Sequence, residues 1–386
     1  MVLSRIVYKR ILDITPVLRS KSVFLFGPRQ TGKSTLLKTL FPSARSFNLL
    51  EANVFRELST RPESLRESLT PKDRIVVVDE VQRIPELLDE IHLLIEERKD
   101  LRFVLTGSSA RTLKRKGVNL LGGRARTLHL HPLVSAELLN IGIERRINFG
   151  SLPSVYDSSD PRGDLKDYVG TYLQEEIRAE SMIRNLPSFS RFLEVAGLSN
   201  GQLINYASVG SDAQVPARTV KDYFQILEET WIGSFLNPFR KTKSRKAIAT
   251  PKFYFFDVGV ANILSRRGDV KSGSTEFGIC LEHLIHQELR AYLSYKNIDD
   301  ELSFWRPERQ ESEVDFLIGD HTAIEVKASG RIDARDLKGL RLLMEEKKLK
   351  RKIIVCSERI ERKVDGGIEI IPYQVFFKAL WQGEIV

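Results

Sequence analysis

The chain has 386 residues, 42% of them hydrophobic and 29% charged, which excludes a fibrous or disordered polymer and exceeds what one core usually holds. Its 60 Lys and Arg against 51 Asp and Glu give a net charge of +9 and a pI near 9.4, a balance that favours polyanionic partners. Cys280 and Cys356 have no CxxC spacing and make neither a zinc site nor a disulfide framework, so a reducing, cytoplasmic compartment is expected.

The opening stretch, MVLSRIVYKRILDITP, is interrupted by charge and lacks the apolar core of a signal peptide. The longest apolar run, KFYFFDVGVANIL, is broken by Asp257, so no membrane span is expected.

SVFLFGPRQTGKSTLLKTL reads as apolar strand, glycine loop and apolar helix, with Gly27 to Ser34 fitting G-x-x-x-x-G-K-[ST]. Backbone N–H groups of Gly27, Pro28 onward through Arg29, Gln30, Thr31 and Gly32 can close around phosphate oxygens, Pro28 itself contributing no donor. Lys33 then neutralises the β/γ-phosphates, Ser34 offers its hydroxyl to Mg²⁺, and Thr35 completes the site, so ATP or GTP with Mg²⁺ is the expected cofactor. RIVVVDEVQRIP forms a buried strand that delivers Asp79 for Mg²⁺ and Glu80 to orient or deprotonate the attacking water.

LRFVLTGSSA ends a further strand in Thr106, Ser108 and Ser109, where a hydroxyl either senses the γ-phosphate or shapes a turn. LLGGRARTLHLHP carries Arg124 and Arg126, read either as an arginine finger or as loop charge. His129 and His131 alternate along a strand with no third ligand nearby, against a metal site. Strands alternating with helices imply a P-loop α/β domain with a largely parallel sheet.

GPRQTGKST, VVDEVQRIP, VLTGSSA and GRARTLHLHPLVSAEL together resemble the archaeal and bacterial AAA-type ATPases whose second half is a conserved domain of uncharacterised function. The resemblance implies an AAA+-like core with sensor 1 near Ser108.

GQLINYASVGSDAQVPARTVKDYFQILEETWIGSFLNPF reads as helix, turn, helix, strand. Val220, Phe224, Leu227 and Trp231 fall on one helical face, and Pro216 suits the helix start. Arg240 to Lys246, RKTKSRK, holds five basic residues between two strand-like runs, which suits the wing of a winged helix laid on a DNA backbone without sequence readout. The outward helix face mixes Arg218 and Lys221 with Asp222, Glu228 and Glu229, so docking of a protein partner or a second copy is the alternative.

In EVDFLIGDHTAIEVKA, a three-residue loop Gly319–His321 pairs Ile318 with Thr322 and sets Asp315 opposite Glu325, with Lys327 on the same face. Facing carboxylates repel unless a cation joins them, and Mg²⁺ suits one or two carboxylates plus water. Helix EFGICLEHLIHQEL, this hairpin, helix DARDLKGLRLLMEEKKL and strand KIIVC resemble the restriction-endonuclease-like PD-(D/E)xK fold. Asp315, Glu325 and Lys327 stand at its D…ExK positions, Glu282 at its acidic helix position, and Val314 replaces the motif's proline.

Three domains are thus expected: an ATPase over 1–147, a helical winged-helix unit over 165–266 and a nuclease-like α/β unit over 274–386. INFGSLPSVYDSSDPRGD and SRRGDVKSGSTEFG read as the linkers between them. The expected function is an ATPase coupled to DNA binding and metal-dependent cleavage; a nucleotide-dependent switch on a protein partner is the alternative.

Overall fold

Short apolar runs bounded by turn residues build the first of two sheets. The computed structural model describes residues 7–107, 121–138, 142–173, 183 and 185–386. Strands β1 (Ser22–Phe26), β2 (Arg45–Asn48), β3 (Ile75–Asp79), β4 (Arg102–Gly107) and β5 (Ala125–His129) pair in the order β2-β3-β4-β1-β5, and every pairing is parallel. Parallel strands must be covered on both faces, and all five residues of β1 are buried. Helix α1 (Lys33–Leu40) leaves β1 through the glycine loop. Helix α2 (Leu87–Glu97) buries Leu87, Leu88, Ile91, Leu94 and Ile95 at helical spacing. Each such side chain contributes about 1.5–3 kcal/mol by leaving water.

The Gly-, Pro- and Ser-rich segment that reads as a linker is instead packed. Helix α3 (Ile143–Phe149) takes in its first three residues, Pro153 and Pro161 each start a further short helix, and Ser151 and Leu152 are fully buried. Proline at a first helical turn loses no hydrogen bond, so a composition typical of loops here nucleates helices. Gly150 has φ 71, and the Asp257 carboxylate lies where a Cβ would be. Asp257 in turn accepts from the backbone N–H groups of Ser151, Gly259 and Val260.

The middle unit stacks α4 (Leu186–Leu198), α5 (Tyr206–Ala213) and α6 (Ala217–Glu229) against an antiparallel hairpin of β6 (Gly233–Pro238) and β7 (Lys252–Phe255). Phe192 and Phe224 meet edge to face at 4.9 Å, as do Phe224 and Phe253, so aromatic contacts bind helix to hairpin. Trp231 departs from its expected place on the α6 stripe. The helix ends at Glu229, Thr230 returns its hydroxyl to Ile226 O, and Trp231 takes φ 62. Its ring leaves the helical stripe and packs on His129 of the first sheet at 4.0 Å.

After α7 (Val258–Leu264), the C-terminal unit begins with α8 (Thr275–Lys296), capped by the Ser274 hydroxyl. There follow β8 (Leu302–Trp305), β9 (Val314–Ile318), β10 (Thr322–Val326), α9 (Lys338–Glu346), β11 (Arg351–Cys356), β12 (Arg362–Val364), β13 (Ile368–Pro372) and α10 (Tyr373–Gln382). Their strands form an eight-stranded sheet, β12-β13-β11-β10-β9-β8-β6-β7. The hairpin of the middle unit is therefore part of it, joined by parallel pairing of Asn237 with Ser303 and Pro238 with Phe304. No open tether separates the second expected domain from the third.

Candidate functional site

The phosphate loop is shaped by backbone need. Gln30 has φ 63 and Gly32 has φ 94 as the residue capping α1. Gly27 touches Leu130 so closely that a Cβ would lie 2.4 Å from the Leu130 carbonyl oxygen. The Lys33 ammonium donates to Gly27 O at 2.7 Å and Pro28 O at 3.0 Å. Thr31 returns its hydroxyl to Pro28 O, and Arg10 holds Thr31 O at 2.6 Å. Arg29 and Thr35 lie in the same loop and helix start, and Ser154 donates to Gln30 Oε1 from beyond the sheet.

Asp79 leaves the end of β3 and accepts from Ser34 Oγ at 2.6 Å, with its second oxygen taken by the Thr106 hydroxyl. Ser34 and Asp79 thus converge with their oxygens on one point, and their donor chemistry fits Mg²⁺. Glu80 sits beside them at φ 62, its carboxylate steadied by Gln82 Nε2 at 2.6 Å and its N–H donated to Thr106. Thr106, one of the three hydroxyls read as γ-phosphate sensor or turn former, is thereby tied to both acids. Ser108 lies outside the described residues.

Arg124 is elsewhere. β5 runs parallel to β1 with Ala125 level with Ser22, whereas the loop begins after Phe26. That is about 16 Å along the strand at the usual rise. Its guanidinium pairs with Glu96, so in this place it does not reach the nucleotide loop of its own chain.

The second site lies on the C-terminal hairpin. The ladder pairs Thr322 with Ile318, Ala323 with Leu317 and Ile324 with Phe316, the register of a three-residue loop. One step on, the Asp315 side chain replaces the backbone partner and accepts from Val326 N at 2.7 Å. Lys327 donates to Glu325 Oε1 at 2.5 Å, while Glu325 Oε2 is buried with no hydrogen-bond partner. Burial pushes Glu325 up to about 7, against the pull of Lys327. Burial and the neighbouring Glu325 and Glu282 carboxylates raise Asp315 well above the usual carboxylate range.

Glu282 reaches this centre from α8, where its carboxylate accepts from Lys252 at 3.1 Å and from Tyr254. Lys252, only 4% exposed, also pairs with Glu313. Burial opposes its charge, yet Glu282, Tyr254, Asp315 and Glu313 together raise it well above the ordinary lysine value. Sequence reading missed Lys252, Tyr254 and Glu313. Only Glu313 carried a signal, standing two residues from Asp315; the other two arrive from β7 of the middle unit. Among the described residues no three acidic, His or Cys side chains form a ready cation cage. Asp315 with the unpartnered oxygen of Glu325 fits a cation that takes two carboxylates and water, while Glu282 is engaged by Lys252 and Tyr254.

The basic loop joining β6 to β7 is partly neutralised. Arg245 pairs with Glu345 and Glu346, and Lys246 with Glu308. Arg240, Lys241 and Lys243 remain exposed.

Residues 19–139 match a family model described as an AAA domain. Residues 141–271 and 277–376 match two domains of unknown function, DUF8612 and DUF4143. The chain is also 24% identical over 306 residues to uncharacterized proteins of Mycobacterium tuberculosis and Mycobacterium bovis, covering 78% of its length and 68% of theirs. The parallel sheet, the phosphate loop and the AAA match make the N-terminal unit AAA-type and P-loop-like, which suggests an ATPase. No described helix is long and apolar enough to cross a membrane.

Proposed function

We propose that this chain is a Mg²⁺-dependent ATP hydrolase coupled to the binding and metal-dependent cleavage of DNA. The observation that carries the first half is the convergence of Ser34 and Asp79 at 2.6 Å beside the Lys33 loop. Ser34 and Asp79 are the residues that would hold Mg²⁺, whose charge would offset that of the nucleotide phosphates. Lys33 exchanges the carbonyls of Gly27 and Pro28 for phosphate oxygens. Glu80, held by Gln82, orients the attacking water.

Support for the second half comes from Asp315, Glu325 and Lys327 on one hairpin, in the surroundings of a PD-(D/E)xK fold. Asp315 and Glu325 would hold the cation, and Lys327 would position water and steady charge on the phosphate. The three-helix and hairpin arrangement of the middle unit supports a winged helix, and exposed Arg240, Lys241 and Lys243 supply phosphate contacts.

A second reading is favoured by Lys252, whose ammonium already compensates Glu282 and Glu313. In it the carboxylate centre is structural, and the chain is a nucleotide-driven switch acting on a protein partner or a second copy. The test is ATP hydrolysis together with cleavage of linear, supercoiled, single-stranded and branched DNA in Mg²⁺ or Mn²⁺, with and without ATP. Lys33→Ala is expected to lose hydrolysis, and Lys327→Ala to keep hydrolysis and lose cleavage. Normal hydrolysis with no cleavage of any DNA would sink the nuclease reading in favour of the switch.

A further inference from the structure

Four carboxylates meet at the centre of the C-terminal unit, and they divide into two pairs. Asp315 and Glu325 stand on the β9–β10 hairpin, with the Lys327 ammonium on one oxygen of Glu325. Glu282 from α8 and Glu313, just before β9, share a second ammonium, that of Lys252. Asp315 lies within electrostatic reach of Glu325, Glu282, Glu313 and Lys252, so the two pairs are one centre.

Lys252 is held in place by the fold. Its buried ammonium stands 3.1 Å from Glu282 Oε1 and 5.4 Å from the centroid of the Phe304 ring. Its backbone is tied on both sides, to Leu236 in the β6–β7 ladder and to Leu203 in a bridge. An ammonium is costly to bury unless carboxylates surround it, and Glu282 and Glu313 do so here. On the other side of the centre one acceptor is left over. Glu325 is 5% exposed, yet its Oε2 is buried with no hydrogen-bond partner. A buried carboxylate oxygen without a donor calls for a cation or a proton.

Four carboxylates against two ammonium groups leave two negative charges, those of one divalent ion and not of two. Arg306 approaches Glu313 Oε2 at 3.7 Å from the rim, where it is 35% exposed and screened by water. Two-metal phosphoryl-transfer sites hold their ions about 3.5–4 Å apart. Here the acids for a second ion are present, but a lysine already sits on them.

We propose that Lys252 is the built-in second cation of this centre, its ammonium holding the Glu282 and Glu313 side so that Asp315 and Glu325 take a single divalent ion. This rests on the cation reading of Asp315 and Glu325 given above, and adds the number of ions and the residue that sets it. An ammonium supplies charge and three N–H donors but no coordination position for water, so that side of the centre offers electrostatic support alone. Because Lys252 arrives on β7, the centre is complete only with the middle unit attached.

The test is Mn²⁺ binding to the full, nucleotide-free chain, counted by electron paramagnetic resonance of the free ion. Asp79→Asn is present throughout, so that the phosphate loop adds no ion. The unaltered centre is expected to bind one Mn²⁺, lost in Asp315→Asn. Lys252→Met and Lys252→Gln are each expected to bind two, and adding Glu313→Gln to Lys252→Met returns the count to one. Thermal unfolding gives a second readout. The midpoint of Lys252→Met should be below that of the unaltered centre and should rise further with Mn²⁺, whereas the charge-balanced double variant should respond to Mn²⁺ no more than the unaltered centre does. Two ions on the unaltered centre, or a count still at one in both Lys252→Met and Lys252→Gln, would overturn the proposal. No Mn²⁺ on the unaltered centre would instead remove the cation reading beneath it.

Discussion

Truncating Glu288 is the sharpest perturbation of how the units are held together. Its carboxylate is fully buried and accepts from Ser135 N at 2.7 Å, Ser135 Oγ at 2.9 Å, Arg146 Nη2 at 2.5 Å and Trp381 Nε1 at 2.6 Å. These donors come from the segment after β5, from α3 and from α10, so one side chain on α8 joins three regions. Glu288→Ala leaves Arg146, itself 4% exposed, with Ser151 Oγ and the Leu133 carbonyl as its only hydrogen-bond acceptors among the described residues. Removing one partner of a buried ion pair costs about 3–5 kcal/mol. Urea unfolding followed by tryptophan fluorescence measures it, provided the slope is unchanged between variants. Glu288→Leu combined with Arg146→Met is expected to be more stable than Glu288→Leu alone, because the second change removes the stranded charge. A single-variant cost below about 1 kcal/mol, or a double variant whose losses simply add, would refute this account of the cluster.

Gly150→Ala is expected to destabilise by several kcal/mol, because the new Cβ would lie 1.9 Å from Asp257 Oδ1 in a φ 71 turn; a urea midpoint within error of wild type would contradict it. His283 is 1% exposed, and burial lowers it from 6.5 to about 4. The folded protein binds fewer protons than the unfolded chain between those values, so stability present above pH 6.5 falls as pH drops toward 4, by at most about 3 kcal/mol. His283→Gln should flatten that part of the stability profile. Lys252→Met is expected to destabilise at pH 7, since Glu282, Glu313 and Asp315 lose their shared cation, and to recover part of that loss at pH 5 as carboxylates take up protons; equal losses at both pH values would count against it.

Much of this was legible from local pattern. The glycine loop, the β3 acids and the C-terminal hairpin register depend on neighbours within a few residues, and the sequence carries those spacings directly. Trp231 was misplaced because helical spacing continues past Glu229, whereas the chain turns at Thr230. The packed segment after α3 was misread because the Asp257 that orders Gly150 and Ser151 is more than a hundred residues away. Lys252 and Tyr254 carry no motif. Each matters through what tertiary packing sets opposite it, which no window of sequence contains.

The eight-stranded sheet has a consequence for anyone dividing the chain. Cutting near residues 266–274 looks natural, yet it takes β6 from β8, together with the Phe239 N–H donated to Phe304 O and the Ile248 N–H donated to Arg306 O. The C-terminal fragment would then end in an uncovered strand presenting open donors and acceptors, a template for self-association. It would also lack Lys252, leaving buried acids uncompensated. Aggregation of such a fragment would report a missing neighbour rather than an unfoldable sequence, whereas a fragment beginning before β6 keeps that border sealed.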